Sequence, residues 1–277
     1  MITMFTQTAI NVLCRDHADD VERLNQVLST TGTGTLVPIP PHTYVGRVGS
    51  RQPDEPCVLL LGINPMYSER TEHQEVNVHL PQRCLAAYEA SGDVEDLRDL
   101  YEFQEGYFLR EERNKRHFSK FGNWFGRHWF LEAYGQHGGG NAQNVLDKHV
   151  VEMDVLQYFS RTASIDGDCL LEAVRTDPAL MAHWRLLEEV LQTVKPQWIQ
   201  VHGKTCWKVM EALLMDGNGT KINPGDTTKT EIIVGKASVG NWNGPVLMHK
   251  FLGMSGPQKN TDKALIAEAW DNIRHTL

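Results

Sequence analysis

The chain lacks any apolar run approaching the ~18 residues of a membrane-crossing helix, which excludes a helical membrane protein. Its first residues, MITMFTQTAINVLCRDHADD, place no basic stretch ahead of an apolar one, so no secretory signal is legible and a cytoplasmic protein is expected. Cysteine is scarce. Cys14, Cys57, Cys84, Cys169 and Cys206 are odd in number, scattered, and free of any CxxC pair, which argues against a disulfide framework and against a zinc or iron–sulfur site. Reduced thiols, no metal and no cofactor are the expectation. Basic charge is also in deficit, with 27 Lys and Arg against 35 Asp and Glu, for a net charge of −8. Wholesale binding of nucleic acid is thereby disfavoured, and only a local basic face is left for it.

Two familiar catalytic signatures are missing as well. Gly203-Lys204-Thr205 follows an apolar run as a phosphate loop would, yet Trp198 stands where that motif requires a glycine. No GxSxG elbow exists, and Gly138-Gly139-Gly140 after His137 reads as a flexible loop.

What remains is an ordinary globular composition: 277 residues, 41% apolar and 22% charged, enough for one large domain. Residues 1–53 read as an N-terminal helix over Asp16–Leu28, with Val21, Leu24, Val27 and Leu28 on one face, then a proline- and glycine-rich stretch ending in a short hairpin or ordered arm. Cys57–Ile63, CVLLLGI, is a continuous apolar run suited to a strand buried on both faces, and Asn64-Pro65 stops it. Residues 69–105 carry ten acidic side chains against three arginines and predict one or two helices. Immediately after, residues 107–130 carry six basic residues against Glu111 and Glu112. The sign of the charge flips between neighbouring segments.

The second half alternates strands at Val150–Leu156, Trp198–His202, Glu231–Val234 and Pro245–His249 with helices at Leu180–Val194, Thr205–Leu214 and Lys263–Leu277. This alternation predicts an α/β layer fold around a mostly parallel sheet of four to five strands. In such sheets ligands bind beyond the carboxyl ends of the strands. Those ends carry Gly62-Ile63-Asn64-Pro65, then Glu152 and Asp154, then His249 followed by Lys250-Phe251-Leu252-Gly253-Met254-Ser255-Gly256. The segment KRHFSKFGNWFGRHWF mixes cations with aromatics, as base stacking with phosphate contact would need, but Phe121, Trp124, Phe125 and Trp129 also fall at the spacing of a core-facing helix.

The order of these pieces resembles the uracil-DNA glycosylase superfamily, in particular its mismatch-specific uracil/thymine branch. Gly62-Ile63-Asn64-Pro65 is similar to that branch's GINPG, with Met66 in place of the last glycine. Phe118, Asn123 and Phe125 keep the spacing of a second family segment. HVVEMDVLQYFSRTA and KPQWIQVHGKTCWKVM resemble the base-reading strand and a later strand–helix unit. VLMHKFLGMSG resembles the last motif, with one extra residue and with Lys250 and Phe251 replacing proline and serine.

The resemblance implies a single three-layer α/β/α domain over residues 54–277, with about 67–117 as a helical insertion that compact family members lack. It also implies a monofunctional DNA N-glycosylase of base excision repair, a hydrolase acting as a monomer on a damaged or mismatched, uracil-like base in double- or single-stranded DNA, away from membranes. In that cast Asn64 orients the attacking water and Phe118 stacks on the flipped base, beside Ile63 and Tyr67. Glu152 or Asp154 reads the base edge, and His249 sits near the leaving base or the phosphate. Arg116, Lys120 and Lys250 contact phosphate, and Met254 with Ser255 forms the wedge. A carboxylate on the reading strand accepts hydrogen bonds, which suits a base edge rich in N–H groups. Two alternatives stand beside this one: a silent relative that binds nucleic acid or a protein partner, and an unrelated small-molecule α/β hydrolase.

Overall fold

The computed structural model describes residues 4–28, 36–52, 54–110, 115–135, 141–161, 165–215, 217, 219–225, 231–252, 257 and 259–277, with Lys115 and Arg116 described by their backbone alone. Its frame follows from the two most apolar runs. In β1 (Val58–Gly62) and β3 (Trp198–His202) all five residues are buried, so neither face can meet water and helices must cover both. With β2 (Val150–Asp154), β4 (Thr220–Ile222), β5 (Ile232–Val239) and β6 (Trp242–His249) they form one sheet in the order β2-β1-β3-β6-β5-β4. The first four of these run parallel, and β5 and β4 add an antiparallel edge.

The sheet therefore has six strands, more than its sequence announces. The extra one, β4, is a three-residue edge strand, TKI, with two exposed positions and no apolar pattern to betray it. An early helix, α1 (Gln7–Leu13), is likewise unannounced, while α2 (His17–Leu28) lies where periodicity puts it.

The acidic segment becomes α3 (Thr71–Gln74), a π-turn at Glu75–His79, α4 (Leu80–Ser91) and α5 (Arg98–Glu105). Beyond it lie α6 (Lys115–His128), α7 (Leu131–Tyr134) and α8 (Ala142–His149). The alternating half supplies α9 (Gly167–Thr176), α10 (Pro178–Val194), α11 (Lys204–Leu213) and α12 (Asn260–Ile273). Helix α10 starts where chain chemistry says it should. Asp177 accepts from the amides of Ala179 and Leu180, and Pro178 occupies the first turn, where its missing N–H costs nothing.

Strand alternation sends side chains to two cores, which makes the three layers. Leu59, Leu61, Ile199 and Val201 pack against α1, α2, α9, α10 and α11. Val58, Leu60, Trp198 and Leu247 pack against α6, α8 and α12, where Phe121, Trp124 and Phe125 are buried at helical spacing. Among the described residues no helix is long and apolar enough to cross a membrane.

The outer edge of β2 is not left bare. Val45 of the N-terminal arm exchanges both backbone hydrogen bonds with Glu152. The arm is held there by the end of α5. Gln104 Oε1 accepts from Thr43, and the Glu105 carboxylate accepts from the amides of Val48, Gly49 and Ser50 and from the Ser50 hydroxyl. The acidic insertion and the arm thus form one cover over a sheet edge that would otherwise pair with another chain.

A second polar cluster ties α2 to α10. The carboxylate of Asp20, 2% exposed, accepts from Arg15, Arg23 and the Tyr158 hydroxyl, and Arg23 reaches on to Asp177 at 2.6 Å. Burial alone would raise the Asp20 carboxyl; the two guanidinium groups and the hydroxyl reverse that and hold it at about 2. Because the folded value lies below the unfolded one, the stabilisation is present above about pH 4 and is lost as pH falls towards 2. Asp20→Asn is expected to lower unfolding free energy at pH 7 by about 2 kcal/mol. In denaturant titrations the gap to wild type should narrow below about pH 4; a gap independent of pH would mean that the charge of Asp20 is not what stabilises.

Candidate functional site at the carboxyl edge of the sheet

The parallel register sets four residues level at the carboxyl ends of adjacent strands. Gly62 pairs with Asp154, His202 pairs with His249, and Leu61 opposite Val201 brings Gly62 level with His202. The row across the sheet is Asp154, Gly62, His202, His249, on the face that α6 covers. Gly62 makes the room in it. A Cβ there would collide with Asp154 Oδ1 and stand 3.1 Å from His202 Nε2, so both side chains converge over the bare Cα.

Asn64 lies two residues beyond Gly62. Its Nδ2 donates to Ser160 Oγ and to the Pro65 carbonyl, while its Oδ1 is buried and has no hydrogen-bond partner among the described residues. The turn that carries it is laced to the segment after β2: Val155 and Leu156 donate to the carbonyls of Gly62 and Ile63, Ser160 donates to Pro65, and Tyr67 donates back to Ser160. Asn64 is therefore a fixed amide with an unused acceptor.

His202 has the same character. It is 5% exposed, yet neither ring nitrogen has a hydrogen-bond partner among the described residues. Burial, with His117 and His249 nearby, pushes its pKa well below the ordinary imidazole value and keeps the ring neutral. Around it stand Phe121 at 5.2 Å, Phe251 at 5.3 Å and His117 at 5.5 Å between ring centroids. A sequence search for polar residues after strands passes His202 by. It reads as the last letter of an apolar run, and only the register shows what it faces.

His249 is different. It is fully buried, its Nε2 accepts from Gln200 Nε2 at 3.1 Å, and its Nδ1 donates to the Lys250 carbonyl at 2.8 Å. Gln200 Oε1 in turn accepts from the Trp198 indole. With both nitrogens committed to this internal chain, His249 has nothing left to offer a base or a phosphate, contrary to the role expected of it from the sequence. Its value is in holding Gln200 and the strand ends in place.

Phe118 also departs from expectation. It is 6% exposed and makes edge contacts with Phe108 at 5.2 Å and Tyr107 at 5.7 Å, so its ring belongs to the core beneath α6 and cannot slide under a base. The helical spacing that buries Phe121 and Trp124 buries Phe118 with them. Phe251, by contrast, is 47% exposed, and its ring is stacked on His117 at 5.7 Å and 21°.

Of the remaining expected residues, Ile63 packs on the opposite core. Tyr67 carries Arg161 over its ring at 5.6 Å. Lys120 donates to the Leu252 carbonyl at 3.0 Å, which ties α6 to the segment after β6. The side chain of Arg116, and Met254 and Ser255 entirely, lie outside the described residues.

Glu152 lies one pleat below Asp154 on the same face, and the two half-buried carboxyl groups are hydrogen-bonded to each other. Burial raises both, and for Glu152 the neighbouring charge of Asp154 raises it further. Two carboxylates in one desolvated site resist ionising together, so both are held above the ordinary carboxyl range and the pair favours sharing a proton. The backbone beneath is pinned by His183, whose Nε2 donates to the Asp154 carbonyl at 2.7 Å.

Among the described residues the arrangement offers a buried amide acceptor and a neutral imidazole, both without hydrogen-bond partners, and a carboxyl pair with raised pKa, within one strand-end row and its adjoining turn. No family model and no curated protein matches the chain significantly.

Proposed function

We propose that this chain is a DNA glycosylase-like hydrolase, which cleaves the N-glycosidic bond of a damaged or mismatched base extruded from DNA into the carboxyl edge of the sheet. The observation that carries this reading is Asn64: its amide nitrogen is anchored on Ser160 and its buried carbonyl oxygen is left without a partner among the described residues. An amide cannot take a proton near neutral pH, so such an oxygen can only orient a water. That suffices when the base leaves early and the sugar becomes oxocarbenium-like before water arrives, because a weak nucleophile then needs positioning more than activation.

The other parts fall into supporting roles. Neutral His202 presents a ring nitrogen towards Gly62 where charge would develop on the departing base, and buried dipoles fixed in advance are worth most there. Phe251 with His117 supplies the exposed ring surface for stacking that Phe118 cannot. Local positive charge exists despite the acidic total. Lys120 and Lys263 act on each other electrostatically, and Lys204 and Lys250 are both felt by Glu231.

The test is single-turnover excision on duplex and single-stranded oligonucleotides bearing uracil, hypoxanthine, xanthine or a G·T mismatch. Release of free base from at least one of them, with the sugar–phosphate backbone intact until alkali treatment, is the expected result. No release from any by folded protein overturns the reading and leaves a binding protein in its place.

A further inference from the structure

We propose that Glu152 and Asp154 act together as a general acid that hands a proton to the departing base, and that the base class this site takes is therefore purine-type. The inference rests on the glycosidase reading above and deepens it. Its geometric ground is the row over Gly62. Asp154 Oδ1 comes from one side and His202 Nε2 from the other, so a group entering between the strand ends meets the acid on one flank and, on the other, a buried imidazole with no hydrogen-bond partner among the described residues. Glu152, hydrogen-bonded to Asp154 from the pleat beneath, is the proton's second seat.

Leaving-group chemistry selects the base. A pyrimidinedione such as uracil departs as an anion, and a pair that retains one negative charge after sharing its proton repels that anion. A purine has ring nitrogens basic enough to accept a full proton, and once protonated it leaves neutral. The step balances as follows. The bond from C1′ to N9 breaks with its electron pair passing to the base. One proton passes from the Glu152–Asp154 pair to a purine ring nitrogen. The water held at Asn64 gives its oxygen to C1′, and the proton it sheds restores the pair. The products are the free neutral base and an abasic sugar.

Titration of the pair then governs the rate. Among the described residues, the titratable groups around it are His202 from β3 on the same face and, across the sheet but within electrostatic reach, the Cys206 thiol of α11, with His183 of α10 on the backbone of Asp154. Burial leaves all three uncharged near neutrality. None competes for the proton, and loss of activity on the alkaline side reports the pair itself.

The experiment compares hypoxanthine and uracil in one oligonucleotide sequence, in single turnover from pH 5 to 9. Hypoxanthine should leave at least ~10-fold faster, with a rate that falls about tenfold per pH unit once the pair loses its proton. Glu152→Gln and Asp154→Asn should each cut that rate at least ~100-fold and flatten the profile, since neither amide can cycle a proton. If either variant fails to fold, the wild-type base preference and profile decide alone. Uracil released with a flat profile and hypoxanthine retained overturns this inference and leaves the glycosidase reading standing. Release of neither base, nor of any other lesion, overturns both.

Discussion

Asn64→Ala is expected to reduce single-turnover excision of the preferred base at least ~100-fold while leaving DNA affinity within about twofold of wild type, on the scale at which a positioned catalytic group contributes. The asymmetry follows from what the amide has left to offer. Its nitrogen donates to Ser160 and the Pro65 carbonyl, and its buried oxygen has no hydrogen-bond partner among the described residues, so it can offer an acceptor to a water but no donor to a phosphate. The competing account is that Asn64 merely organises the turn before Pro65. In that case alanine would cost about 1 kcal/mol of stability and spare excision by whatever protein remains folded. Denaturation and excision measured on the same preparation separate the two. Wild-type-like excision by folded Asn64→Ala would remove Asn64 from the mechanism and take the glycosidase reading's main support with it.

The parts of this architecture that could be read from sequence are those in which one physical demand dominates. β1 and β3 are continuous apolar runs because a strand covered on both faces has no polar side to show, and α6 is legible because Phe121, Trp124 and Phe125 return every turn to the same core. β4 was hidden because an exposed edge strand needs only its hydrogen bonds to β5, which leave no trace in side-chain pattern. At the site, Asn64 could be picked out locally, since Asn-Pro after an apolar run stops a strand whatever surrounds it. His202, Gly62 and Asp154 could not be joined, because their meeting is a product of register among three strands far apart in the chain. The same limit explains His249 and Phe118. Each has the residue type that binding a base needs, and only packing reveals that Gln200 and the α6 core have already claimed them.

Gly62→Ala tests that register-built row directly. A methyl group at this position meets Asp154 Oδ1 well inside van der Waals contact and His202 Nε2 at 3.1 Å, and the β1 backbone, paired on both sides, cannot retreat. The carboxyl group of Asp154 must swing away, which breaks its hydrogen bond to Glu152 and moves the acid from the place where a base would sit. Displacement of about 1 Å at a reacting group can cost 100-fold in rate, so excision should fall at least ~100-fold. Overpacking a buried row should also lower stability by about 1 to 3 kcal/mol. The two losses can be separated by combining Gly62→Ala with Asp154→Ala, which removes the atoms that collide. If the clash is the cause, the double variant should be more stable than the sum of the single effects predicts, by about 1 kcal/mol or more, while excision stays lost. Strict additivity in stability would mean that Asp154 does not lean over Gly62, and wild-type excision by Gly62→Ala would show that the cleft between Asp154 and His202 is not where the base is held.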